Sequence, residues 1–300
     1  MASKEHLKTI VRGSYQIQKL RIQTGNRVVI SFKNKIIALY KGKPEELELP
    51  KGKDLLADLR YSYDKITDKI TDNTVDNLPT RAKFKPHGLI MDYTDLVMMN
   101  QYVSLVKSEE SHFKALKNTL ADFPIYNKYF KDVNGMGPAM AGVIISEIDI
   151  EKSKYPSSIY RYAGLDVGPD GRGRGRYKEH LVDVEYVDKE GKTQTKKSIT
   201  FNPFLKTKLV GVLGGSFLIH NKKYGKIYND YKNRLENHAK YKDESKGHRH
   251  NMAIRRMIKL FINDMYNAWR KLEDLEVFPP YHVAKLGMSD HAPVELKKTA

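Results

Sequence analysis

Between residues 133 and 145 the chain reads Val133-Asn134-Gly135-Met136-Gly137-Pro138, followed by the small apolar run Ala139 to Ile145. No other stretch limits the architecture as much. Glycines at i and i+2 permit a tight turn with positive φ and leave backbone N–H groups uncovered. Pro138 suits the first turn of a helix, where a missing N–H costs nothing. The pattern predicts the turn and second helix of a helix-hairpin-helix, or else a plain glycine-proline turn between two core helices. In the first case the amides of Gly135, Met136 and Gly137, with Lys131 beside them, form an anion site suited to a nucleic-acid phosphate.

Charge makes a polyanion the natural partner. The 300 residues carry a formal net charge of +17, and the excess is unevenly placed. It amounts to +6 over residues 1–50, −1 over 51–150, +10 over 151–250 and +2 over 251–300. The densest positive segment therefore follows the hairpin, a distribution that favours nucleic acid. An apolar fraction of 40% supports a real core, and no apolar run reaches membrane-spanning length. The absence of cysteine excludes disulfides and cysteine-based zinc sites. The start, Met-Ala-Ser-Lys-Glu-His, has no apolar stretch of a secretory signal, so a cytoplasmic, nucleoid-associated location is expected.

Hydrophobic patterning predicts a mainly α protein with small β additions, an α+β chain. Residues 1–50 read as a basic, β-rich arm. Arg27 to Phe32 and Ile36 to Tyr40 look like strands joined at Asn34. Residues 51–124 read as helical: Leu55, Leu59, Ile66 and Ile70 recur at helical spacing, and Leu96, Met99, Val103 and Val106 mark a helix over 93–120. Residues 125–300 form the hairpin-containing domain. There His180 to Val187 alternates like a strand and pairs with Gln194 to Phe201. Pro203 opens a helix reaching about His220, and a final helix runs from Met252 to Leu272.

Three constellations could carry chemistry. Arg172, Arg174 and Arg176 alternate with glycine in a loop that frees guanidinium forks for phosphate. Lys196, Lys197, Lys206 and Lys208 follow on the next strand and helix. The competing reading is a solvated turn whose arginines pair with Asp166, Asp170 or Glu179. A second group is His248-Arg249-His250, ahead of a helix bearing Arg255, Arg256 and Lys259. The two histidines lack a third ligand at metal spacing, so phosphate contact is the stronger expectation and no metal is assigned. The third is Asp92 with Asp95. These could hold magnesium in a nuclease, but the early strand candidates supply no further acid, which favours a helix cap.

Several motifs together resemble insertion-sequence transposases of the DEDD-plus-serine class, the bridge-RNA-guided recombinases. They are Val133 to Gly142, Ile144-Ile-Ser-Glu-Ile148, Tyr155-Pro-Ser-Ser158 with Tyr162-Ala-Gly-Leu165, and Thr200-Phe-Asn-Pro-Phe-Leu-Lys206. The helix from His248 to Arg270 fits the end of that domain, so the resemblance covers about residues 125–275. It implies double-stranded DNA as partner, a role in transposition or recombination, and a guide-like or structured RNA as a further partner; it allows a homo-oligomer. The class also has an N-terminal nuclease domain with four acids and a serine nucleophile after the Ala-Gly-Leu motif. Residues 165–197 contain no serine, leaving Ser198 as the nearest candidate, and residues 1–124 do not match the acidic domain. The expectation is a DNA-binding protein without its own catalysis and without a cofactor. The alternatives are an active recombinase using Ser198, or Asp92 and Asp95 with magnesium, and an RNA-binding accessory protein.

Overall fold

The computed structural model describes residues 3–40, 47–67, 78–168 and 170–280, together with 283 and 287. The chain is mainly helical, and among the described residues its β strands form one two-stranded antiparallel sheet. The chain divides into two compact units, Thr9–Ala115 and Met1–Lys8 with Leu116–Ala300. Among the described residues no helix is long and apolar enough to cross a membrane.

The expected β-rich arm is not formed. Residues Lys4–Leu39 make one helix, α1, of 36 residues. Leu7, Val11, Ser14, Gly25, Val28 and Phe32 are buried along it, at separations of three or four residues apart from one gap of eleven between Ser14 and Gly25. That stripe outweighs the strand propensity of Val28-Val29-Ile30, because propensity is a weak preference against burial of a helical face. Ile30 and Ile37, which supported the strand reading, lie exposed on the other side.

In the unit Thr9–Ala115, α1 packs with α2 (Gly52–Thr67) and α3 (Tyr93–Leu120). The helix expected from residue 51 begins at Gly52, and its predicted continuation through Ile70 lies outside the described residues. Leu55, Leu59, Tyr63, Leu96, Met99 and Val103 meet Val28 and Phe32 in one core. Buried Tyr63 donates to Asn100 Oδ1 at 2.6 Å, which satisfies both polar groups where water is excluded.

The second unit contains α4 (Pro124–Lys128), a short 3-10 turn at Phe130–Asp132, α5 (Pro138–Glu147) and α6 (Pro156–Tyr162). The ribbon β1 (Val182–Val187) and β2 (Thr193–Ser198) follows, in the register Val182 opposite Ser198. Then come α7 (Pro203–Thr207), a π-helical stretch at Lys208–Leu213, α8 (Gly214–His220), α9 (Lys222–Asn237) and α10 (Lys246–Leu272). The predicted helix from Pro203 to His220 is thus continuous but wider in its middle. α10 forms the axis of the core: Met257, Ile258, Phe261, Ile262 and Met265 are all buried. Phe217 stacks on Tyr224 at 4.7 Å and meets Phe261 edge-on at 5.1 Å, offset geometries that suit the ring quadrupoles. Asp264 on α10 accepts from the Tyr224 hydroxyl at 2.8 Å and pairs with Lys223 at 2.7 Å, so α9 is tied to α10 by charge as well as by packing.

Candidate nucleic-acid interface

The turn ahead of α5 is built by its second neighbour in space, not by its own sequence alone. Gly135 has φ +85°, and a Cβ there would lie 3.1 Å from the Phe217 ring and 3.2 Å from the Ser216 carbonyl. Ser216 Oγ donates to Gly135 O at 2.8 Å, and Asn221 Nδ2 donates to Asn134 O at 2.8 Å. The turn is thereby docked on the end of α8, and the Met136 amide, expected to face an anion, donates instead to Val133 O at 2.9 Å, closing the turn on itself. Gly137 differs from the expectation of positive φ: it is the N-cap of α5 with φ −84° and ψ 164°, and no side chain caps the helix. Nothing lies within 4 Å of the position its Cβ would take. The limb before the turn is only the five-residue α4 and the 3-10 turn, shorter than the first helix of the expected hairpin. Lys131 is exposed at that limb and bonds to Asn127 Oδ1 at 2.8 Å.

The arginine-glycine loop is ordered from within. Asp166 Oδ2 accepts from Arg174 Nε at 3.1 Å and Nη2 at 2.7 Å. The Arg174 amide donates to Asp166 O at 3.0 Å. Buried His180 accepts from the Gly175 amide at 3.0 Å through Nδ1, and its Nε2 lies 3.0 Å from Asp170 Oδ1. These contacts hold the Asp170 carboxyl below its ordinary range, first through His180 and then through the Arg172 amide. Arg255 reaches up from α10 and donates to Gly164 O at 3.2 Å and Asp166 O at 2.8 Å. A Cβ on Gly173 would lie 2.8 Å from the Arg255 guanidinium carbon, so the loop crosses directly over that group. Arg172 and Arg176 remain exposed on the outer side.

Beneath the loop the cations outnumber the acids. Lys206 on α7 donates to Arg174 O and lies 4.7 Å from the Phe201 ring centre. Burial lowers its pKa from 10.5 to about 8, and Arg255 pushes in the same direction. Lys259, over the Tyr160 ring at 5.6 Å, is lowered by burial and then by Arg255 and Arg256. Lys208 is lowered by burial alone. Asp166 is the acid that opposes the cluster, raising Lys206, Lys259 and Arg255. Its second oxygen, Oδ1, is buried with no hydrogen-bond partner. Such a layer holds an excess of partly buried positive charge around one acid, where an anion is held more strongly than in bulk water.

Other expected contacts are used internally. Arg249 donates to the carbonyls of Lys242, at 2.7 Å, and Glu244, clamping the preceding loop onto α10. His250 Nδ1 lies 2.7 Å from the Tyr228 hydroxyl. Lys197 pairs with Asp183 at 2.7 Å across the ribbon, and Lys196 sits 4.6 Å over the Tyr186 ring. Both strands of that ribbon are almost wholly exposed, yet its four lysines are matched by four acids over residues 182–198. The ribbon is therefore neutral and adds little to the positive field. Arg256 is half-buried on α10 beside Arg255.

Asp92 and Asp95 cap α3: Asp92 Oδ1 accepts from the Asp95 amide at 2.9 Å, and Asp95 Oδ2 accepts from the Met91 and Asp92 amides at 3.3 Å. Both carboxylates pair with Lys35, Asp92 at 2.7 Å. Ser198 ends β2 opposite Val182. Among the described residues no group of three or more His, Cys, Asp or Glu side chains is placed to hold a metal.

Asp166 was legible as a partner of the loop arginines and pairs with Arg174; the parts played by His180, Asn202 and Glu147 were not legible in the sequence. Asn202 caps α7 by accepting from the Leu205 amide at 3.1 Å, while its Nδ2 donates to the buried Glu147 at 2.6 Å and to the Tyr162 hydroxyl at 3.0 Å. The Asn-Pro pair was a visible helix-start signal; its second role toward Glu147, 55 residues away, was not. The docked turn is bonded to Ser216 and the arginine loop to Lys206, ten residues apart on a helical run that includes the π-helical stretch. Comparison with protein-family models, curated proteins and solved structures finds no match.

Proposed function

We propose that this chain binds the backbone of double-stranded DNA through the unit containing α4 to α10, within a transposition or recombination system of the kind its motifs resemble. The observation that carries the reading is the cationic layer of Lys206, Arg255 and Lys259 beneath the arginine loop, opposed by Asp166. Arg172 and Arg176 extend the positive surface outward from it, and the N-terminus of α5, which no side chain caps, adds its helix dipole. Contacts of this type hold phosphate and set register on a duplex without reading bases. Asp92 and Asp95 are engaged as caps of α3 and share the single cation Lys35, which supports a structural role for them.

The test is fluorescence anisotropy on a labelled duplex at several salt concentrations. With roughly six phosphate contacts, log K against log salt has a slope near −5 and unrelated sequences bind alike. A slope near zero, or no binding at low salt, overturns the proposal.

A further inference from the structure

The unit Thr9–Ala115 contains an open cleft of 580 Å³ lined by Arg21, Asn26, Val29, Lys53, Leu56, Arg60, Tyr102 and Val106. Its volume lies within the ~300–1,000 Å³ of small-molecule sites. We propose that it binds a phosphorylated nucleoside, the cations taking the phosphates and Tyr102 with the apolar wall taking the nucleoside.

The cleft follows from the spacing of residues on three helices. Lys53, Leu56, Ala57 and Arg60 occupy i, i+3, i+4 and i+7 of α2 and so share one face. On α1, Arg21 and Val29 lie two turns apart, and Gly25 between them leaves room for Tyr102. A Cβ at Gly25 would lie 3.0 Å from the Tyr102 ring. Tyr102 and Val106 contribute from α3 at i and i+4.

The cations are positioned before any ligand arrives. Arg21 pairs with Glu109, which is itself held by Gln18 Nε2 at 2.9 Å. Arg60 Nε pairs with Asp64 at 2.9 Å. Glu109 and Asp64 each engage the Nε of their arginine, and Arg21 also bonds the Tyr102 side chain; a guanidinium has five N–H donors, so others remain for a ligand. Lys53 is exposed in the first turn of α2, where the helix dipole also favours negative charge. No carboxylate lines the cleft. Three cations around a half-apolar wall with one aromatic ring and the exposed Asn26 carboxamide match an anionic ligand that carries a flat heterocycle.

The same chemistry is offered by a free mononucleotide and by the phosphorylated end of a nucleic-acid strand. Full-length protein is titrated by calorimetry with ATP, AMP, tripolyphosphate and a 5′-phosphorylated oligothymidine, alongside its unphosphorylated form, at about 0.15 M salt. ATP is expected to bind and tripolyphosphate to bind at least about tenfold more weakly. Lys53→Ala and Arg60→Ala are each expected to weaken ATP about tenfold, with unchanged thermal unfolding, while Lys19→Ala on the exposed side of α1 leaves binding as in the parent. A strand end that binds more tightly than ATP, and only when phosphorylated, identifies the second source of the same ligand. Equal binding of tripolyphosphate and ATP, equal loss in Lys19→Ala, or no binding of any nucleotide at about 1 mM overturns the proposal. None of these outcomes depends on duplex binding by the other unit.

Discussion

Replacing Lys206 by methionine separates the two consequences of a cation held at the wrong energy. Methionine keeps the length and apolar body of the stem over Phe201 and removes the charge. In the folded protein the ammonium has a pKa of about 8, against 10.5 when free, through burial first and Arg255 second. That gap corresponds to ~3 kcal/mol of disfavoured charge, and with the group half-exposed solvent screening leaves ~1 kcal/mol. Because the folded value is the lower one, the unfolded chain binds more protons between about 8 and 10.5. The Lys206 contribution to stability is therefore complete above 10.5 and is lost as pH falls through about 8. Measured by urea unfolding from pH 7 to 10.5, the parent should gain ~1 kcal/mol relative to Lys206→Met. Duplex affinity should move the opposite way. A phosphate beside the ammonium raises its pKa, so binding of the parent weakens as pH rises past about 8, while the variant binds more weakly at neutral pH and is flatter with pH. Parent and variant that track each other in both stability and affinity would refute the reasoning, since Lys206 would then be an ordinary solvated lysine.

The two glycines of the turn should respond unequally. Gly135→Val must adopt positive φ and displace Phe217 or the Ser216 carbonyl, a loss of ~2–3 kcal/mol in denaturant unfolding. Gly137→Val has ordinary φ and open space, so it should fold as the parent and weaken DNA by blocking phosphate approach; unaltered binding would reduce the turn to a structural role. Asn202→Ala removes the α7 cap and one partner of buried Glu147, and should cost ~2–3 kcal/mol by the same assay. Supercoiled plasmid incubated with the protein, co-purified RNA and magnesium or manganese should remain uncut. Nicked product that disappears in Ser198→Ala, or in Asp92→Asn with Asp95→Asn, would restore the recombinase reading.

The helices α3 and α10, the pairing of β1 with β2 (though His180 lies before β1 and Phe201 after β2), and the proline start of α7 were legible in the sequence, because each is written in periodicity or in a local backbone rule. A mainly α fold with a small sheet followed from these alone. Residues 27–40 misled because β-branched residues crowd one short window, whereas the deciding stripe from Leu7 to Phe32 becomes clear only over the length of α1. The candidate interface divides in the same way. That Gly171 to Arg176 forms a loop is a local property, set by glycines that cannot hold a regular element. Which of its arginines faces outward is not, since Arg174 is taken by Asp166 and the loop is pinned by His180 and Arg255. Charge in the sequence is only a sum. Tertiary structure alone decides which cations are neutralised by a carboxylate, which donate to a backbone carbonyl, and which are left buried against one another with a single acid between them, because those differences depend on distance and dielectric between residues far apart in the chain.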